Sequence, residues 1–580
     1  MQNRPFLFNK VLHHLDTIYH DQALDIDYVT LTQTLLNIMK LPSDQVISHS
    51  HVEWQANDIV MITYGNSILS QNNSPLGALH DFTDKYLSDI VNTLHILPFF
   101  PFSSDDGFAV KDFDTVDHQL GDWHDINQLT KDYKVMADLV INHCSSEHHW
   151  FKNFTEDKSP GKDYFVITSL DDDISQVVRP RTSPLMRPTN TSVGLKQVWC
   201  TFSHDQVDLN FKNPAVLIEF AKVIKNYIDQ GISLFRLDAV GFLWKEVGTS
   251  CLSLHQTHEI IRLIRTLVEN INPHIILITE TNIPNRENLS YFGNGNEAHC
   301  IYNFSLPPLL LNTLITGDCA YLKQWMMSMP PAQLGTAYLN FIASHDGIGL
   351  RPIEGLLADN EIQQLINTMQ QFGGKISWRT GLNGINSPYE INITLFDALK
   401  GTIKGEDQLG LERFICAHAI MVALEGIPAI YIHSLIGTMN DIDKLEKTGH
   451  ARSINRHQWD YDALTAALAN QHSTHHQVYK KMHNLLQIRA KQPAFHPNAT
   501  QFTLHLGQAL FGFWRQSLDK KQSVFCIYNI SDQRQSVLLS DINLIITDDW
   551  FDLITGQHFK QLDDLIGLNP YQALWISNHY

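Results

Sequence analysis

The chain has 580 residues, of which 43% are apolar and 18% are charged, the composition of a globular protein too long for a single compact core. Its 42 basic and 61 acidic residues leave a formal net charge of −19. An acidic surface of this kind argues against nucleic acid or an anionic membrane as a partner. A local group of arginines can still bind a small anion within such a protein.

The sequence lacks the patterns of secreted and membrane-spanning chains. The longest apolar stretch, 415–436, is interrupted by His418, Glu425, Pro428 and His433, so we predict a buried helix leading into a strand there. The first residues have no signal-peptide pattern. Seven scattered cysteines without CxxC spacing predict reduced thiols in the cytoplasm, with no zinc site and no disulfide.

The first predicted element is a helical extension over residues 1–55. The segments VLHHLDTIY and LTQTLLNIM have the helical spacing of apolar residues. We expect this extension to pack on the outside of the main domain.

Eight apolar, β-rich runs follow, and amphipathic helical stretches such as 214–231 and 258–271 lie between most of them. The runs are IVMITYG (59–65), NTLHILPFF (92–100), KVMADLVINH (134–143), ISLFRLDAV (232–240), HIILITET (274–281), AHCIYNF (298–304), AYLNFIASHD (337–346) and IPAIYIHSLIG (427–437). Near-continuous apolar strands alternating with helices indicate a parallel sheet covered on both faces. Eight such units predict an α/β fold, a (β/α)8 TIM barrel, built from residues 56–143 and 213–494.

Three segments depart from this alternation. Residues 144–212, after strand 3, predict an inserted irregular domain folded over the barrel mouth. Residues 347–405, after strand 7, form a second long excursion, and loops of this length are usually lids or small subdomains. Residues 495–580 contain alternating strands and predict a C-terminal all-β domain.

An open, doubly wound sheet is the alternative architecture, but no G-x-G-x-x-G motif follows the first strand. Six of the eight runs end in polar side chains: Tyr64–Asn66, Asn142–His143, Asp238, Glu280, His345–Asp346 and His433–Ser434. Polar groups at the C-terminal ends of strands are typical of a TIM-barrel active site, so they favour the barrel.

The motifs with the clearest chemistry are FRLDAVG (235–241), ITET (278–281) and SHDG (344–347). Cleaving a glycosidic bond with retention needs one carboxylate that attacks the anomeric carbon and one acid that protonates the leaving oxygen. Asp238 and Glu280, at the ends of strands 4 and 5, fit these two roles. Arg236 lies on the same side of its strand as Asp238 and can keep it ionised. An isolated Arg-x-Asp is usually an ordinary ion pair, but three such motifs at strand ends favour an active site.

In order and spacing, the segments ADLVINH, LFRLDAV, ITET and IASHD resemble the four conserved regions of the α-amylase superfamily. The resemblance covers nearly the whole chain. It implies Asp238 as nucleophile, Glu280 as general acid/base and Asp346 as transition-state stabiliser. The supporting residues that it implies are Asp138, Asn142, His143, Arg236 and His345.

Further segments, among them ITYGNSI, HILPFFPFSSDDGFAVKDF and RSINRH, look like the sucrose-phosphorylase branch of that superfamily. This likeness implies that His95 and Arg456 line the glucose subsite, and we predict Tyr64 and Asn66 as substrate-binding residues beside them. Sucrose phosphorylases normally have an aspartate at the position of Asn66, so this chain has one negative charge fewer near the glucose ring.

Phosphorolysis requires that orthophosphate attack the glucosyl–enzyme intermediate, and Arg351, Arg456 and His433 are the candidate anion-binding residues. The sequence SSDDG (103–107) predicts a turn, because it lacks the D-x-D-x-D-G spacing of a calcium loop. We assign His143 to the sugar and His148 and His149 to the loop surface. We therefore predict no metal and no cofactor, with inorganic phosphate as co-substrate.

Members of this branch act on sucrose, sucrose 6′-phosphate, glucosylglycerol or glucosylglycerate. Residues 374–399 and 433–457 look most like the glucosylglycerate phosphorylases, as do the chain length and the N-terminal extension. We therefore predict phosphorolysis of 2-O-α-glucosylglycerate to α-glucose 1-phosphate and glycerate through a covalent glucosyl–enzyme intermediate, with Arg351 pairing the glycerate carboxylate.

Two other classes of function remain as alternatives. A hydrolase or transglucosidase would use the same pair of acids. A non-catalytic sugar-binding barrel would be expected to lose a carboxylate, whereas all three acids are present. We expect a monomer or homodimer.

Overall fold

The computed structural model describes residues 6–22, 26–46, 54–381, 385–542, 549–559 and 565–579. Parts of the predicted N-terminal extension (1–5, 23–25 and 47–53), of the excursion after strand 7 (382–384) and of the C-terminal domain (543–548, 560–564 and 580) lie outside the described residues.

Eight parallel strands form a closed barrel, which confirms the predicted (β/α)8 architecture and makes the open-sheet alternative wrong. They are β1 (Val60–Thr63), β2 (Thr93–Ile96), β3 (Lys134–Leu139), β4 (Leu234–Leu237), β5 (Ile276–Thr279), β6 (Cys300–Tyr302), β7 (Ala337–Asn340) and β8 (Ile427–Tyr431). Val60 pairs with Thr93 on one side and with Ala429 on the other, which closes the ring. Apart from Lys134, every residue of these strands is buried, as expected for strands covered on both faces.

Helices cover the outside of the barrel. The longer ones are Pro75–Leu87, Trp123–Asp132, Pro214–Asp229, His255–Ile271, Leu306–Thr316, Ala320–Ser328, Gly410–Ala423 and Thr474–Ala490. Several begin with the local signals that start a helix. Pro214 occupies the first turn of its helix, and the Asn213 side chain accepts a hydrogen bond from the Ala215 amide. Such caps fix where each helix begins and therefore how long the preceding loop over the mouth is.

The strand register determines which side chains meet at the mouth. Strands β3 and β4 pair Asp138 with Arg236, and β4 and β5 pair Leu237 with Thr279. The next residues along β4 and β5 are Asp238 and Glu280. Because neighbouring parallel strands keep their register, these two carboxyl groups come side by side at the C-terminal end of the barrel.

Two insertions cover this end. The segment between β3 and β4 contains the helix His149–Thr155 and two small sheets, formed by His143–Ser145 with Gln206–Asp208 and by Ile167–Thr168, Gly194–Trp199 and Met186–Thr191. The segment after β7 contains a three-stranded sheet of Ile348–Gly349, Asn386–Asn392 and Lys375–Thr380 beside the helix Asp359–Gln371. Each insertion contributes side chains to the cavity described below, so each lies over the mouth.

The C-terminal segment forms an antiparallel sheet of six strands with its own apolar core. In sheet order the strands are Thr500–Thr503, Leu510–Gln516, Ser523–Asn529, Ala573–Ser577, Trp550–Asp552 and His558–Phe559. The Tyr528 hydroxyl donates to the carbonyl of Ala419 at 3.0 Å, which joins this sheet to the helix Gly410–Ala423 of the barrel.

Two helices precede the barrel, Leu7–Tyr19 and Tyr28–Ile38, and the first packs on the helix His255–Ile271. Buried His14 links the first of these helices to the helix His255–Ile271. One of its ring nitrogens lies 2.5 Å from the Glu259 carboxylate and the other 3.1 Å from the Thr266 hydroxyl. The N-terminal helices therefore lie on the barrel exterior. Among the described residues, no helix is long and apolar enough to cross a membrane. All seven cysteines are buried free thiols.

Buried Arg489, at the end of the helix Thr474–Ala490, joins three parts of the chain through backbone carbonyls. It donates to Ala56 before β1, to Val422 at 3.2 Å and to Phe495 at 3.1 Å. We expect Arg489→Met to lower the free energy of unfolding by about 3 kcal/mol or more, because several buried carbonyls lose their donor. Thermal and denaturant unfolding measure this. Lys480→Met, at an exposed site on the same helix, is the control, and an equal loss in both variants would contradict the prediction.

Candidate active site

A cavity open to solvent lies at the C-terminal end of the barrel. Its polar lining comes from the strand ends, from both insertions and from the loops that follow β2 and β8: Asp105, His143, Arg181, Gln206, Arg236, Asp238, Glu280, Thr281, Asn282, His345, Asp346, Arg351, Tyr389, Glu390 and Arg452. The three predicted catalytic acids therefore face one space.

Arg236 holds the carboxylates of strands β3 to β5 together. Its guanidinium bonds Asp138, lies 2.7 Å from an oxygen of Asp238 and approaches Glu280 to 3.9 Å. Ala239, directly after Asp238, adopts a left-handed conformation with φ of 48°, which is unfavourable for a residue with a Cβ. In this turn its amide donates to Glu280 at 3.0 Å. The turn thus joins the two acids through the backbone as well.

The two acids differ in how well they can hold a negative charge. Burial raises the pKa of Asp238, and repulsion from Glu280 adds to this, while Arg236 opposes both effects. Burial likewise raises the pKa of Glu280, with a further contribution from the charge of Asp346. Two adjacent buried carboxyls cannot both ionise easily, so they retain one proton between them. Because Arg236 is closer to Asp238 than to Glu280, the charge is more stable on Asp238 and the proton on Glu280.

The third acid, Asp346, has a different environment. Burial works against its ionisation, but Arg452 at 2.7 Å, together with His345, Arg236 and Arg456, outweighs burial and lowers the pKa of Asp346. The other edge of the Arg452 guanidinium donates two hydrogen bonds to the buried Glu390 carboxylate, from Nε at 3.1 Å and from one Nη at 2.5 Å. Asp346 is therefore a permanent negative charge, held in place from two later segments of the chain, and such a charge can stabilise a positively charged sugar ring in the transition state.

Residues on or after β1, β2, β7 and β8 carry polar atoms suited to sugar hydroxyls. Four of these buried atoms have no hydrogen-bond partner among the described residues: the Tyr64 hydroxyl, Nδ1 of His95, Nδ1 of His345 and one Nη of Arg456. His95 is oriented by Asp138 at 2.7 Å, and Arg456 by the carbonyl of His345 at 2.9 Å. Buried polar groups usually have partners, so this cluster marks where a polar ligand belongs.

Arg456 has a carboxylate partner from the SSDDG segment. Asp106 lies 2.6 Å from its guanidinium, in a turn where Asp105 and Asp106 both have positive φ, 55° and 48°. The segment therefore forms a turn, as predicted. Among the described residues, no group of three or more His, Cys, Asp or Glu side chains is arranged to hold a metal ion.

Six of the predicted binding residues do not line the cavity: Tyr64, Asn66, His95, Asp138, His433 and Arg456. Asn66 is half-buried to one side, and its carbonyl accepts a hydrogen bond from Gln458 at 3.4 Å. His433 is buried against Thr438 beside a separate small cavity, and burial lowers the pKa of His433 to about 3. A neutral imidazole offers phosphate no positive charge, so among the candidate anion-binding residues only Arg351 lines the cavity.

His143 reaches the cavity as a neutral donor or acceptor. Its Nε2 lies 3.0 Å from the carbonyl of Phe108 and 3.2 Å from the Gln206 amide, and burial lowers the pKa of His143. The preceding Asn142 accepts from Lys245 at 2.6 Å, which fixes the start of the first insertion. His143 can therefore contact a sugar hydroxyl but carries no charge.

Two arginines in the cavity wall are not neutralised. Among the described residues, neither Arg181 nor Arg351 has a carboxylate within 4.0 Å, unlike Arg236 and Arg452. Arg181 lies over the rings of Phe202 and Tyr389, at 5.7 and 5.2 Å from their centres. Burial lowers the pKa of Arg351, but a guanidinium remains protonated at neutral pH. Two free cations beside a pair of acids can attract an anionic ligand.

Sequence reasoning missed several lining residues, among them Arg181, Asn282, Glu390 and Arg452. Arg452 could have been found from the sequence, because it begins the segment RSINRH, in which the resemblance pointed only to Arg456. The others lie in insertions or in a turn, where the sequence alone does not show which side chains point inward.

Comparison with known proteins agrees with this geometry. Residues 62–350 match the family model described as alpha amylase, catalytic domain. The chain is 40% identical to a glucosylglycerate phosphorylase from Allomeiothermus silvanus, with 99% of each chain covered. It is 37% identical to one from Escherichia coli, with 98% of this chain and 99% of that one covered.

A solved structure shares the fold. The crystal structure of sucrose 6F-phosphate phosphorylase from Thermoanaerobacter thermosaccharolyticum matches with a TM-score of 0.71 at 24% identity, over 83% of this chain and 96% of that one. At 24% identity this likeness shows a shared fold. The two sequence matches, at 40% and 37% identity over almost the full length, show common descent. The chain therefore belongs to the alpha-amylase family and, within it, to the group of the glucosylglycerate phosphorylases.

Proposed function

We propose that the protein is a retaining phosphorylase that converts 2-O-α-glucosylglycerate and phosphate into α-glucose 1-phosphate and glycerate. The observation that carries this proposal is the pair of unneutralised cations, Arg181 and Arg351, in the same cavity as the paired carboxyl groups of Asp238 and Glu280. Both exchanged groups, glycerate and phosphate, are anions. The near full-length similarity to glucosylglycerate phosphorylases supports this choice of substrate.

In the first step an oxygen of Asp238 attacks the anomeric carbon of glucose. The glycosidic bond breaks, and the departing glycerate oxygen takes the proton of Glu280. Arg236 keeps Asp238 ionised until it attacks, and Asp346 stabilises the positive charge that develops on the sugar ring. The products of this step are free glycerate and a glucosyl ester of Asp238.

In the second step a phosphate oxygen attacks the same carbon from the side that glycerate has left. Glu280, now ionised, accepts the proton of the phosphate, and the bond to Asp238 breaks. Two inversions give net retention. Since the glycerate carboxylate and phosphate occupy the cavity in turn, one set of cations can serve both, and it favours phosphate over neutral water as the second nucleophile.

A substrate panel tests this proposal directly. The protein is incubated with phosphate and, in turn, glucosylglycerate, sucrose, glucosylglycerol and sucrose 6′-phosphate, and glucose 1-phosphate is measured. We expect the highest kcat/KM with glucosylglycerate, and little free glucose in the presence of phosphate. Faster release of glucose 1-phosphate from sucrose would contradict the substrate, and release of free glucose independent of phosphate would contradict the reaction.

Arg351 is expected to decide between charged and neutral substrates. We expect Arg351→Ala to lower kcat/KM for glucosylglycerate about ten- to a hundredfold relative to that for sucrose, because a charge-assisted hydrogen bond to the carboxylate contributes about 1.5–3 kcal/mol. Arg379→Ala, on the same insertion and already paired with Glu354 at 2.6 Å, is the matched control. Equal loss on both substrates would show that Arg351 does not bind the acceptor carboxylate.

The state of the cysteines is relevant to the cellular compartment of the protein. Seven free cysteines are typical of a reducing compartment, where disulfides do not persist. They support the proposal that the protein works in the cytoplasm.

A further inference from the structure

A second, small cavity shares Asp346 with the active-site cavity. Its polar lining includes Ser344, His433, Ser434, Thr438 and Asn455, all of them buried. The space inside, about 10 Å3, is about what a single water molecule needs. Of this lining the mechanism uses only Asp346, so the other polar groups need a separate explanation.

Two buried polar atoms in the lining lack a hydrogen-bond partner among the described residues: Nε2 of His433 and Oδ1 of Asn455. Burial lowers the pKa of His433, and the nearby carbonyl of His457 opposes this effect, but Nε2 has no partner at hydrogen-bond distance and angle. Most buried polar atoms in folded proteins do have partners. Two unpaired atoms in one small cavity therefore point to a polar molecule between them.

The neighbours of His433 determine which of its ring nitrogens carries the proton. The Thr438 hydroxyl accepts from the Trp459 indole at 3.0 Å and lies 3.2 Å from Nδ1 of His433. Among the described residues Nδ1 is the acceptor available to the hydroxyl proton, so Thr438 donates to Nδ1. A neutral imidazole has one N–H, which is then on Nε2. His433 therefore presents an unpaired donor.

The neighbours of Asn455 fix the direction of its amide. Its nitrogen donates to the carbonyls of Ser344 at 3.2 Å and Asp346 at 3.0 Å, so its oxygen is left as an unpaired acceptor. A water molecule can accept from Nε2 of His433 and donate to this oxygen. The hydroxyl groups of Ser344 and Ser434, in the same lining, can supply the further partners that a buried water usually has.

The Asn455 amide also belongs to the support of the third acid. Asn455 and the next residue, Arg456, together hold three successive backbone carbonyls: Asn455 donates to those of Ser344 and Asp346, and Arg456 donates to that of His345 at 2.9 Å. The backbone that carries the Asp346 carboxylate is thus held by an amide whose other end faces the small cavity.

We propose that the small cavity binds one water molecule between His433 and Asn455, and that His433 is a positioning residue for Asp346 through this water and the Asn455 amide. The inference rests on the proposed function, in which Asp346 stabilises the charge of the transition state. With the water bound, the amide is paired at both its oxygen and its nitrogen. Without it, the amide loses one of these restraints, and Asp346 is held less firmly against a charge that develops only in the transition state.

His433→Phe removes the donor and fills the cavity. We expect kcat for phosphorolysis of glucosylglycerate to fall about ten- to a hundredfold and KM to change less than about threefold, because a small displacement of a catalytic group costs a factor of this size in the transition state. His433→Gln, whose amide can donate into the cavity, should stay within about threefold of the wild-type kcat. His418→Phe, at another buried histidine, which bonds the carbonyl of Phe414 at 2.9 Å, is the matched control and should keep the wild-type kcat.

Inhibition by two sugar analogues separates positioning from a general loss of structure. Protonated 1-deoxynojirimycin carries a positive charge that Asp346 attracts, whereas glucose is neutral. In His433→Phe the imino sugar should lose about tenfold in affinity relative to glucose, and in His418→Phe the ratio should not change. Equal weakening of both ligands in His433→Phe, or wild-type kcat in that variant, would overturn the inference.

A high-resolution crystal structure of the wild-type protein tests the water itself, whether or not the variants fold. We expect one water within about 3.2 Å of both Nε2 of His433 and Oδ1 of Asn455. A dry cavity, or direct contact between the two side chains, would contradict the inference and leave the proposed function intact. Failure of the wild-type protein to release glucose 1-phosphate would contradict the proposed function, whereas the water and the inhibitor ratio could still be measured.

Discussion

Asp238→Asn is expected to reduce phosphorolysis by about four orders of magnitude or more while the protein stays folded, because an amide cannot form the glucosyl ester on which both steps depend. Release of glucose 1-phosphate from glucosylglycerate measures the loss, and thermal unfolding checks the fold. Asp171→Asn, at an exposed carboxylate of the first insertion, is the matched control and should leave the rate unchanged. Retention of more than a few per cent of the rate in Asp238→Asn would rule out Asp238 as nucleophile.

A second measurement separates a nucleophile from a merely structural carboxylate. In Asp238→Gly, azide can enter the vacated space and attack α-glucosyl fluoride from the face that Asp238 normally uses. One inversion in place of two gives β-glucosyl azide. Formation of the α-anomer, or no response to azide in a folded variant, would contradict the assignment.

Glu280→Gln is expected to slow phosphorolysis of glucosylglycerate by about two to four orders of magnitude, because the alkoxide of glycerate is a poor leaving group without a proton. Fluoride needs little protonation, so formation of the glucosyl ester from α-glucosyl fluoride should change far less. Equal losses with both substrates would count against Glu280 as general acid.

The pH dependence provides an independent check on Glu280. Burial and the charge of Asp346 raise the pKa of Glu280, which extends to higher pH the range in which the acid is protonated. In the wild-type protein kcat/KM for glucosylglycerate should fall as the pH rises through this raised pKa. The Gln variant cannot lose a proton there and should lack that limb. The same alkaline limb in both proteins would show that another group causes it.

The proposed substrate choice rests on which charges remain unpaired. Arg236 and Arg452 are both neutralised by carboxylates, so they act on the ionisation of the catalytic acids and leave no free charge for the acceptor. Arg181 and Arg351 keep their charge for a ligand. A neutral acceptor would leave these two cations partly desolvated and unpaired, which is unfavourable, whereas glycerate or phosphate offsets that cost.

The sequence by itself was enough to predict the barrel and its acids. Near-continuous apolar runs at regular spacing are a local property of strands buried on both faces, and eight of them correspond to the eight barrel strands. Asp238, Glu280 and Asp346 lie at or near the ends of three of these runs. Because every parallel strand of a barrel ends at the same rim, residues that are distant in sequence could be placed together without coordinates.

Only the tertiary structure decided the charge balance and the shape of the cavity. Arg452 pairs with Asp346 and Glu390, which come from segments with no local pattern that predicts contact. Asn66 and His433 also follow strands, yet neither lines the cavity, because the direction of a side chain beyond a strand end depends on the loop that continues it. Distances between residues that are far apart in sequence determine which cations lack a carboxylate partner. The periodicity of a sequence carries no information about such distances.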